Sequence, residues 1–161
     1  MKHEEQDTQW FCEQVRLLEG SLYRTAVSLL NNRQDAEDAI QEALYTAYEK
    51  RHTLKSPEKF KPWLLKILTN TAYDILRRRK PVVSLEDAGP VASEEDPTRH
   101  LALAQAVAQL PPDYRQAVNL FYYEDLSIRQ IAEITGYGEN VIKTRLFRAR
   151  QRLRALLEDS L

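Results

Sequence analysis

The chain has 161 residues, of which 43% are hydrophobic and 29% charged, and its formal net charge is −1. This length allows one ordinary domain or two small ones. With only four glycines and many Leu, Ala, Arg, Gln and Glu residues, the composition is typical of a globular helical protein and excludes fibrous and fully disordered classes. We expect an all-α fold with almost no sheet.

The start of the chain and its longest apolar run bear on location. Residues 1–9 are acidic and polar, without the basic segment and apolar stretch of a secretory signal. The apolar run 63–68 is interrupted by Lys66, whereas a membrane-spanning helix needs about 20 apolar residues. We therefore expect a cytoplasmic protein with no membrane span.

The cysteine and histidine residues form no recognisable site. Cys12 is the only cysteine, so it cannot form an internal disulfide, and we expect it to be buried in the core. His3, His52 and His100 lie far apart in the sequence and are expected at the surface. No catalytic residue, metal site, cofactor or small-molecule substrate is expected.

Charge is unevenly distributed along the chain. Acidic residues crowd the start and the stretches 35–49 and 86–96, while basic residues crowd 77–80 and 143–154. A net charge near zero argues against a nucleic-acid-binding protein, because such domains usually carry a basic excess. The two local basic clusters outweigh that argument here.

Helical periodicity predicts three helices in an N-terminal domain at residues 1–80. The first spans 10–30 and ends at two asparagines. Asp35 is expected to cap the second helix, which breaks near Pro57. The third spans 59–79 and ends on a basic cluster, which suits a helix C-terminus.

Residues 81–98 separate this domain from the rest of the chain. The segment contains several prolines and acidic residues but few large apolar ones, so it cannot bury enough surface to fold alone. We predict a flexible acidic linker.

Residues 99–161 are predicted to form a second domain with four helices. Two prolines open the second of these helices. Ser127 and Gln130 form a capping-box pattern for the third, which Gly136 ends, and Asn140 is expected to cap the last.

The last two predicted helices, with a glycine-containing turn between them, have the layout of a helix-turn-helix. On a helical wheel, one narrow apolar face of the last helix is expected to pack on the domain: Ile142, Leu146, Ala149 and Leu153. The opposite face carries Lys143, Thr144, Phe147 and Arg148, flanked by Arg145, Arg150 and Arg152.

An outward phenylalanine is informative because it costs solubility unless a partner covers it. In the DNA major groove, Arg or Lys pairs with guanine and an apolar side chain contacts thymine methyl groups. We interpret the last helix as a DNA-recognition helix around Phe147. A solvated basic helix face is the alternative.

Polar faces of the N-terminal domain are ambiguous. The third helix exposes Lys66, Asn70, Asp74 and Arg77, and the second helix exposes an acidic strip of Asp38, Gln41, Glu42 and Tyr45. Each is either an ordinary solvated face or, for the acidic strip, a docking surface for a basic partner.

The order of three sequence segments narrows the choice between these interpretations of the polar faces. "NNRQDAEDAIQEALYTAYEK" and "FKPWLLKILTNTAYDILRRRK" precede the acidic linker, and "LAQAVAQLPPDYRQAVNLFYYEDLSIRQIAEITGYGENVIKTRLFRARQRLR" follows it. Over nearly its whole length the chain resembles the extracytoplasmic-function (ECF) sigma factors of bacterial RNA polymerase. The resemblance implies a sigma region 2 domain and a sigma region 4 domain joined by a flexible tether.

The resemblance also implies roles for particular residues. Asp38, Gln41 and Glu42 would dock on the clamp coiled coil of the polymerase β′ subunit, with the β flap as a further contact. Loop 52–60 and the helix after it would read and melt the minus-ten element through Phe60, Trp63, Lys66 and Asn70. The phosphates would be held by Arg77, Arg78 and Arg79. Lys143, Thr144, Phe147 and Arg148 would read the minus-thirty-five element, with Arg145 and Arg150 positioning the helix on the DNA backbone.

One departure and one regulatory expectation follow from the resemblance. Asn140 and Val141 stand where the family usually has Gly-Thr, so a hydroxyl that could touch phosphate is lost. Such factors are commonly held by an anti-sigma factor, often at the membrane, that covers both domains.

Two other classes of protein are weighed against this interpretation. An autonomous helix-turn-helix regulator would bind its operator alone, as a two-fold symmetric dimer. The acidic strip, the linker and the basic cluster 77–80 favour the sigma factor. An enzyme would need a nucleophile, metal or phosphate-loop pattern, which the sequence lacks.

Overall fold

The structure is a computed structural model and describes residues 2–79 and 97–159, so the predicted linker lies almost wholly outside the described residues. Within these ranges the chain is α-helical and has no strand, which confirms the all-α prediction. The N-terminal half comprises α1 (Lys2–Leu17), α2 (Glu19–Leu30), α3 (Arg33–Glu49) and α4 (Phe60–Arg78), with short 3-10 turns at Arg51–Thr53 and Pro57–Lys59. The C-terminal half comprises α5 (Pro97–Ala108), α6 (Pro112–Val118), a π-helical turn (Asn119–Tyr123), α7 (Ile128–Thr135) and α8 (Glu139–Asp159).

The prediction of one helix over residues 10–30 is wrong. Helix α1 begins at Lys2, and the chain departs from helical geometry at Leu18 (φ −104°, ψ 9°) before α2 begins. The break lies two residues before Gly20, and glycine is a poor helix former. Apolar periodicity missed the break because the apolar stripe continues on both sides of it.

The start of α3 also differs from the prediction. Asn31, in the left-handed conformation (φ 49°), ends α2 as expected. The N-cap of α3 is Asn32 rather than Asp35, because the Asn32 side chain accepts the Asp35 backbone N–H at 2.9 Å. Asp35 instead lies in the first turn, where a carboxylate interacts favourably with the helix dipole.

The start of α8 requires a similar correction. Asn140 does not cap this helix, since α8 already begins at Glu139 and the Ile142 N–H is accepted by the Gly138 carbonyl at 3.1 Å. Asn140 lies inside the first turn, where its backbone carbonyl accepts a hydrogen bond from the Thr144 hydroxyl at 3.0 Å.

The prediction for α7 is confirmed. The Ser127 hydroxyl accepts the Gln130 N–H at 3.1 Å, and the Gln130 side chain accepts the Ser127 N–H at 3.0 Å. Gly136 ends the helix in the left-handed conformation (φ 82°).

The core of the N-terminal half lies between α2, α3 and α4. Helix α3 buries an alanine at every turn: Ala36, Ala39, Ala43 and Ala47. These small side chains let α3 approach the leucine-rich faces of its neighbours, which include Leu22 on α2 and Leu64 and Leu68 on α4.

The two halves pack against each other through a common apolar core. Leu120, Leu126, Ile131 and Ile134 of the C-terminal half belong to the same buried cluster as the leucines of α2 and α4. A smaller cluster, formed by Leu110, Val118 and Ala149, lies within the C-terminal half. Contact between the halves was not predictable from the sequence pattern.

Polar contacts reinforce this interface. Buried Arg115 on α6 donates to the Ser28 carbonyl of α2 at 2.9 Å, and Asn119 donates to the Thr25 hydroxyl at 2.9 Å. Burial lowers the pKa of Arg115 below its usual value. Partner groups from the opposite half therefore satisfy polar side chains that would otherwise be buried without hydrogen bonds.

The prediction that Cys12 is buried is wrong, because its side chain lies on the exposed side of α1. His3 and His52 are exposed as expected, and the side chain of His100 lies outside the described residues. None of the described helices combines the length and apolarity that crossing a bilayer requires.

Candidate nucleic-acid interface

Helices α7 and α8 and the turn between them form a helix-turn-helix. Ile131 and Ile134 on α7 are buried together with Ile142 and Leu146 on α8. Ala149 is also buried and Leu153 is half-buried, so the predicted apolar face of α8 is confirmed.

The face of α8 that points away from this core is the predicted recognition face. Lys143, Thr144, Phe147 and Arg148 are all exposed, and Phe147 keeps 56% of its surface accessible. A large apolar side chain therefore stands among two basic residues and a hydroxyl on one helix face. Such a face can offer charged donors, a hydroxyl and an apolar group to the major groove.

Arg145 and Arg150 differ from this exposed set. The Arg145 guanidinium lies 3.9 Å above the Tyr137 ring and 3.5 Å from the Asp113 carboxylate, and only 14% of its side chain is exposed. Arg145 thus anchors α8 to α6 and to the turn. Arg150 is exposed and donates to the Tyr122 hydroxyl at 2.9 Å.

The loop between α3 and α4 borders a cavity of about 400 Å³. Phe60 is buried, with 2% of its surface exposed, and forms an inner wall rather than a free surface. Trp63 is half-buried beside it and donates from Nε1 to the Thr53 hydroxyl at 3.1 Å. The predicted aromatic residues therefore lie together under a polar loop.

Helix α1 also lines this cavity, through Asp7, Trp10 and Phe11. These residues could not be predicted from the sequence, because α1 lies at the acidic start of the chain and carries no motif. The chain contains two tryptophans, and both line the cavity.

The other residues predicted to bind near the minus-ten element lie along α4. Lys66 and Asn70 are exposed, and Arg77 and Arg78 follow at the end of the helix. Arg77 pairs with Asp74 at 3.0 Å.

The predicted polymerase-docking strip lies on α3, where Asp38, Gln41 and Glu42 are all exposed. Asp38 accepts a hydrogen bond from Gln34 at 3.1 Å, and Glu42 lies 3.9 Å from Arg78. The acidic strip and the basic end of α4 are therefore adjacent. Among the described residues, no group of His, Cys, Asp and Glu side chains is arranged to hold a metal ion.

Two family models match the chain. The model described as "Sigma-70 region 2" matches residues 15–82, and the one described as "Sigma-70, region 4" matches residues 100–153. Together with the helix-turn-helix, these matches define a DNA-binding transcription initiation factor.

Individual relatives of the chain support the same assignment to the sigma factors. The chain is 38% identical over 138 residues to "RNA polymerase sigma factor SigV" of Bacillus subtilis (strain 168), covering 84% of this chain and 83% of the relative. It is 32% identical over 172 residues to "ECF RNA polymerase sigma factor SigW" of the same organism, covering 95% and 91%. The sigma factor RpoE of Bartonella quintana, solved in complex with the anti-sigma factor NepR, superposes with a TM-score of 0.78 at 26% identity, covering 92% of this chain and 96% of that one.

The chain belongs to the ECF sigma factors of bacterial RNA polymerase. Its function is therefore to bind core RNA polymerase and direct it to promoters, and the autonomous helix-turn-helix regulator is not favoured.

Proposed function

We propose that residues 99–161 read the minus-thirty-five element with the outward face of α8, and that residues 1–80 bind polymerase and open the minus-ten element. Residues 81–98 would be the flexible link between these two domains. The observation that carries the proposal is the exposed cluster of Lys143, Thr144, Phe147 and Arg148 on a helix whose opposite face is buried. Arg150 would contact phosphate, while Arg145 would position α8 from within the domain.

The N-terminal half would contribute two surfaces. Asp38, Gln41 and Glu42 would meet the β′ clamp coiled coil, with the β flap contacting the C-terminal half. The melted strand would run along α4 from the cavity at Trp63, in contact with Lys66, Asn70, Arg77 and Arg78. The alignment of these exposed side chains along α4 supports this assignment.

The packed arrangement of the two halves would have to open on promoter DNA. By their names the two elements are centred about 25 base pairs apart, or about 85 Å at 3.4 Å per pair. A compact chain of this length has a radius of gyration of about 15 Å. One packed molecule therefore cannot contact both elements, and separation of the halves would accompany holoenzyme assembly.

An anti-sigma factor is the expected regulator. The sigma factor RpoE of Bartonella quintana was crystallised with one. We propose that an anti-sigma factor also binds this chain and holds it in the cytoplasm or at the membrane. We also propose that the chain itself has no catalytic activity.

Run-off transcription from a genomic fragment library, with core RNA polymerase in the presence and absence of the chain, tests the proposal. New start sites preceded by a shared two-part motif would support it. If new start sites appear but none of them has an upstream element whose recognition depends on Phe147, the assignment of α8 to the minus-thirty-five element is wrong.

A further inference from the structure

The cavity beside the minus-ten loop is built from two separate parts of the chain. Phe60 and Trp63 come from the start of α4, whereas Asp7, Trp10 and Phe11 come from α1. Its volume of about 400 Å³ lies within the range of roughly 300 to 1,000 Å³ typical of small-molecule sites. The family model for region 2 begins at residue 15, after the residues that α1 contributes.

Helix α1 is fixed over the loop by several contacts. Asp7 accepts a hydrogen bond from Arg51 at 2.6 Å, and the hydroxyls of Thr8 and Tyr48 hydrogen-bond at 2.9 Å. The Trp10 ring packs edge to face on Phe60, with ring centroids 5.3 Å apart. These contacts therefore fix the position of α1 as one wall of the cavity.

The cavity has the chemistry of a site for one unstacked nucleobase. Its lining includes the aromatic side chains of Trp10, Phe11, Phe60 and Trp63, and every base presents a π-face that stacks on aromatic side chains. Arg51 and Lys55 lie at its border and provide positive charge for a neighbouring phosphate. Arg51 is oriented by Asp7 and by the Tyr48 carbonyl, to which it donates at 2.7 Å.

We propose that α1 is part of the DNA-reading surface, with Trp10 stacking on the base that the minus-ten loop captures and Asp7 orienting Arg51 toward the adjacent phosphate. This inference rests on the proposed function of the loop, and it adds a DNA contact from a segment outside the matched region 2. The captured group is a base of single-stranded DNA.

Tryptophan fluorescence tests the proposal directly, because both tryptophans of the chain line this cavity. In the Trp63→Phe variant all tryptophan emission comes from Trp10, and in Trp10→Phe it comes from Trp63. Each full-length variant is titrated with single-stranded DNA of about 10 nucleotides. We expect single-stranded DNA to quench Trp10 emission and duplex DNA of the same sequence to quench it much less.

Unchanged Trp10 emission overturns the proposal. If Trp63 emission responds, only the contact from α1 is wrong, and if neither emission responds, the proposed capture of a base beside the loop is wrong as well. The Trp63→Phe variant, which reports Trp10 emission, leaves Trp10 in place, so loss of its packing on Phe60 does not affect that readout.

A second measurement uses the holoenzyme and a dye-labelled single strand carrying the minus-ten element found by transcription. Stacking on one base is worth about 1–3 kcal/mol, so Trp10→Ala should weaken binding by about 5- to 150-fold. Trp10→Phe should retain most of the affinity. Leu17→Ala is the matched control, since Leu17 is also an apolar residue of α1 but is 77% exposed and does not line the cavity.

The two proposals fail in distinguishable ways. If Trp10→Ala initiates transcription from the same start sites with unchanged strand affinity, α1 has no role in reading DNA and the sigma function stands. If the unmodified chain directs no new start sites, the proposed function itself is wrong.

Discussion

The carboxylate of Glu124 accepts two hydrogen bonds from the guanidinium of Arg24, at 3.0 and 3.2 Å, across the interface between the two halves of the chain. Lys61 of α4 also reaches Glu124, donating to its backbone carbonyl at 2.8 Å and lying 3.8 Å from its carboxylate. The Glu124 side chain is fully buried. It follows the π-helical turn, whose final hydrogen bond joins the Glu124 N–H to the Asn119 carbonyl at 2.9 Å.

A buried carboxylate depends on its partners, because an unpaired charge in the interior is costly. Both cationic partners of Glu124 come from the N-terminal half, so separating the halves removes them. Glu124→Gln keeps the shape but removes the charge. We expect it to favour the separated form by about 5- to 10-fold, since the partners are about one-third exposed and part of the interaction is screened.

Energy transfer between dyes on the native Cys12 and on a cysteine introduced by Gln151→Cys measures the separation of the halves. Glu133→Gln is the matched control, because Glu133 pairs with Arg129 at the exposed surface of α7. Equal transfer efficiency in the unmodified chain and in Glu124→Gln would mean that this contact does not hold the halves together.

Phe147 is the next residue to test. Phe147→Ala should weaken recognition of the minus-thirty-five element by about 5- to 150-fold, which corresponds to the roughly 1–3 kcal/mol of one lost base-pair contact. Binding to core polymerase should be unchanged, because Phe147 lies on the exposed face of α8 whereas the proposed docking strip lies on α3. Holoenzyme binding to promoter DNA and core binding are measured separately, and an equal loss in both would contradict the assignment.

The acidic strip on α3 makes a different prediction. Asp38→Lys should weaken binding to core polymerase by about tenfold or more, because it places a like charge against a basic partner. Glu13→Lys is the control for net charge, because Glu13 is also an exposed acidic residue but lies on α1. Titration of labelled core polymerase measures both variants. If Glu13→Lys weakens binding as much as Asp38→Lys, the loss comes from total charge and not from this strip.

The predictions from sequence succeeded where a pattern repeats within one element. The buried face of α8 and the capping box of Ser127 follow from local spacing and local hydrogen bonds. The break at Leu18 was missed because apolar spacing does not register a departure from helical geometry.

The interface between the halves was missed for a different reason. Glu124 and Arg115 are residue types usually found at the surface, and their burial depends on partners about a hundred positions away for Glu124 and 87 positions away for Arg115. The wall that α1 adds to the cavity is hidden for the same reason, since Asp7 and Arg51 lie 44 positions apart.

The turn before the recognition helix provides a last prediction, which compares two glycines. Gly136 has a φ of 82°, in the left-handed region where a Cβ atom costs about 1–2 kcal/mol. Apart from Gly136 itself and its two chain neighbours, no residue lies within 4 Å of the position such a Cβ would take. Gly136→Ala should therefore lower the free energy of unfolding by about that amount through backbone conformation alone. Gly138 has equally open surroundings and no such positive φ, so Gly138→Ala should cost clearly less. Urea unfolding followed by circular dichroism measures both variants, and equal losses would show that the left-handed conformation of Gly136 does not set the cost of a side chain in this turn.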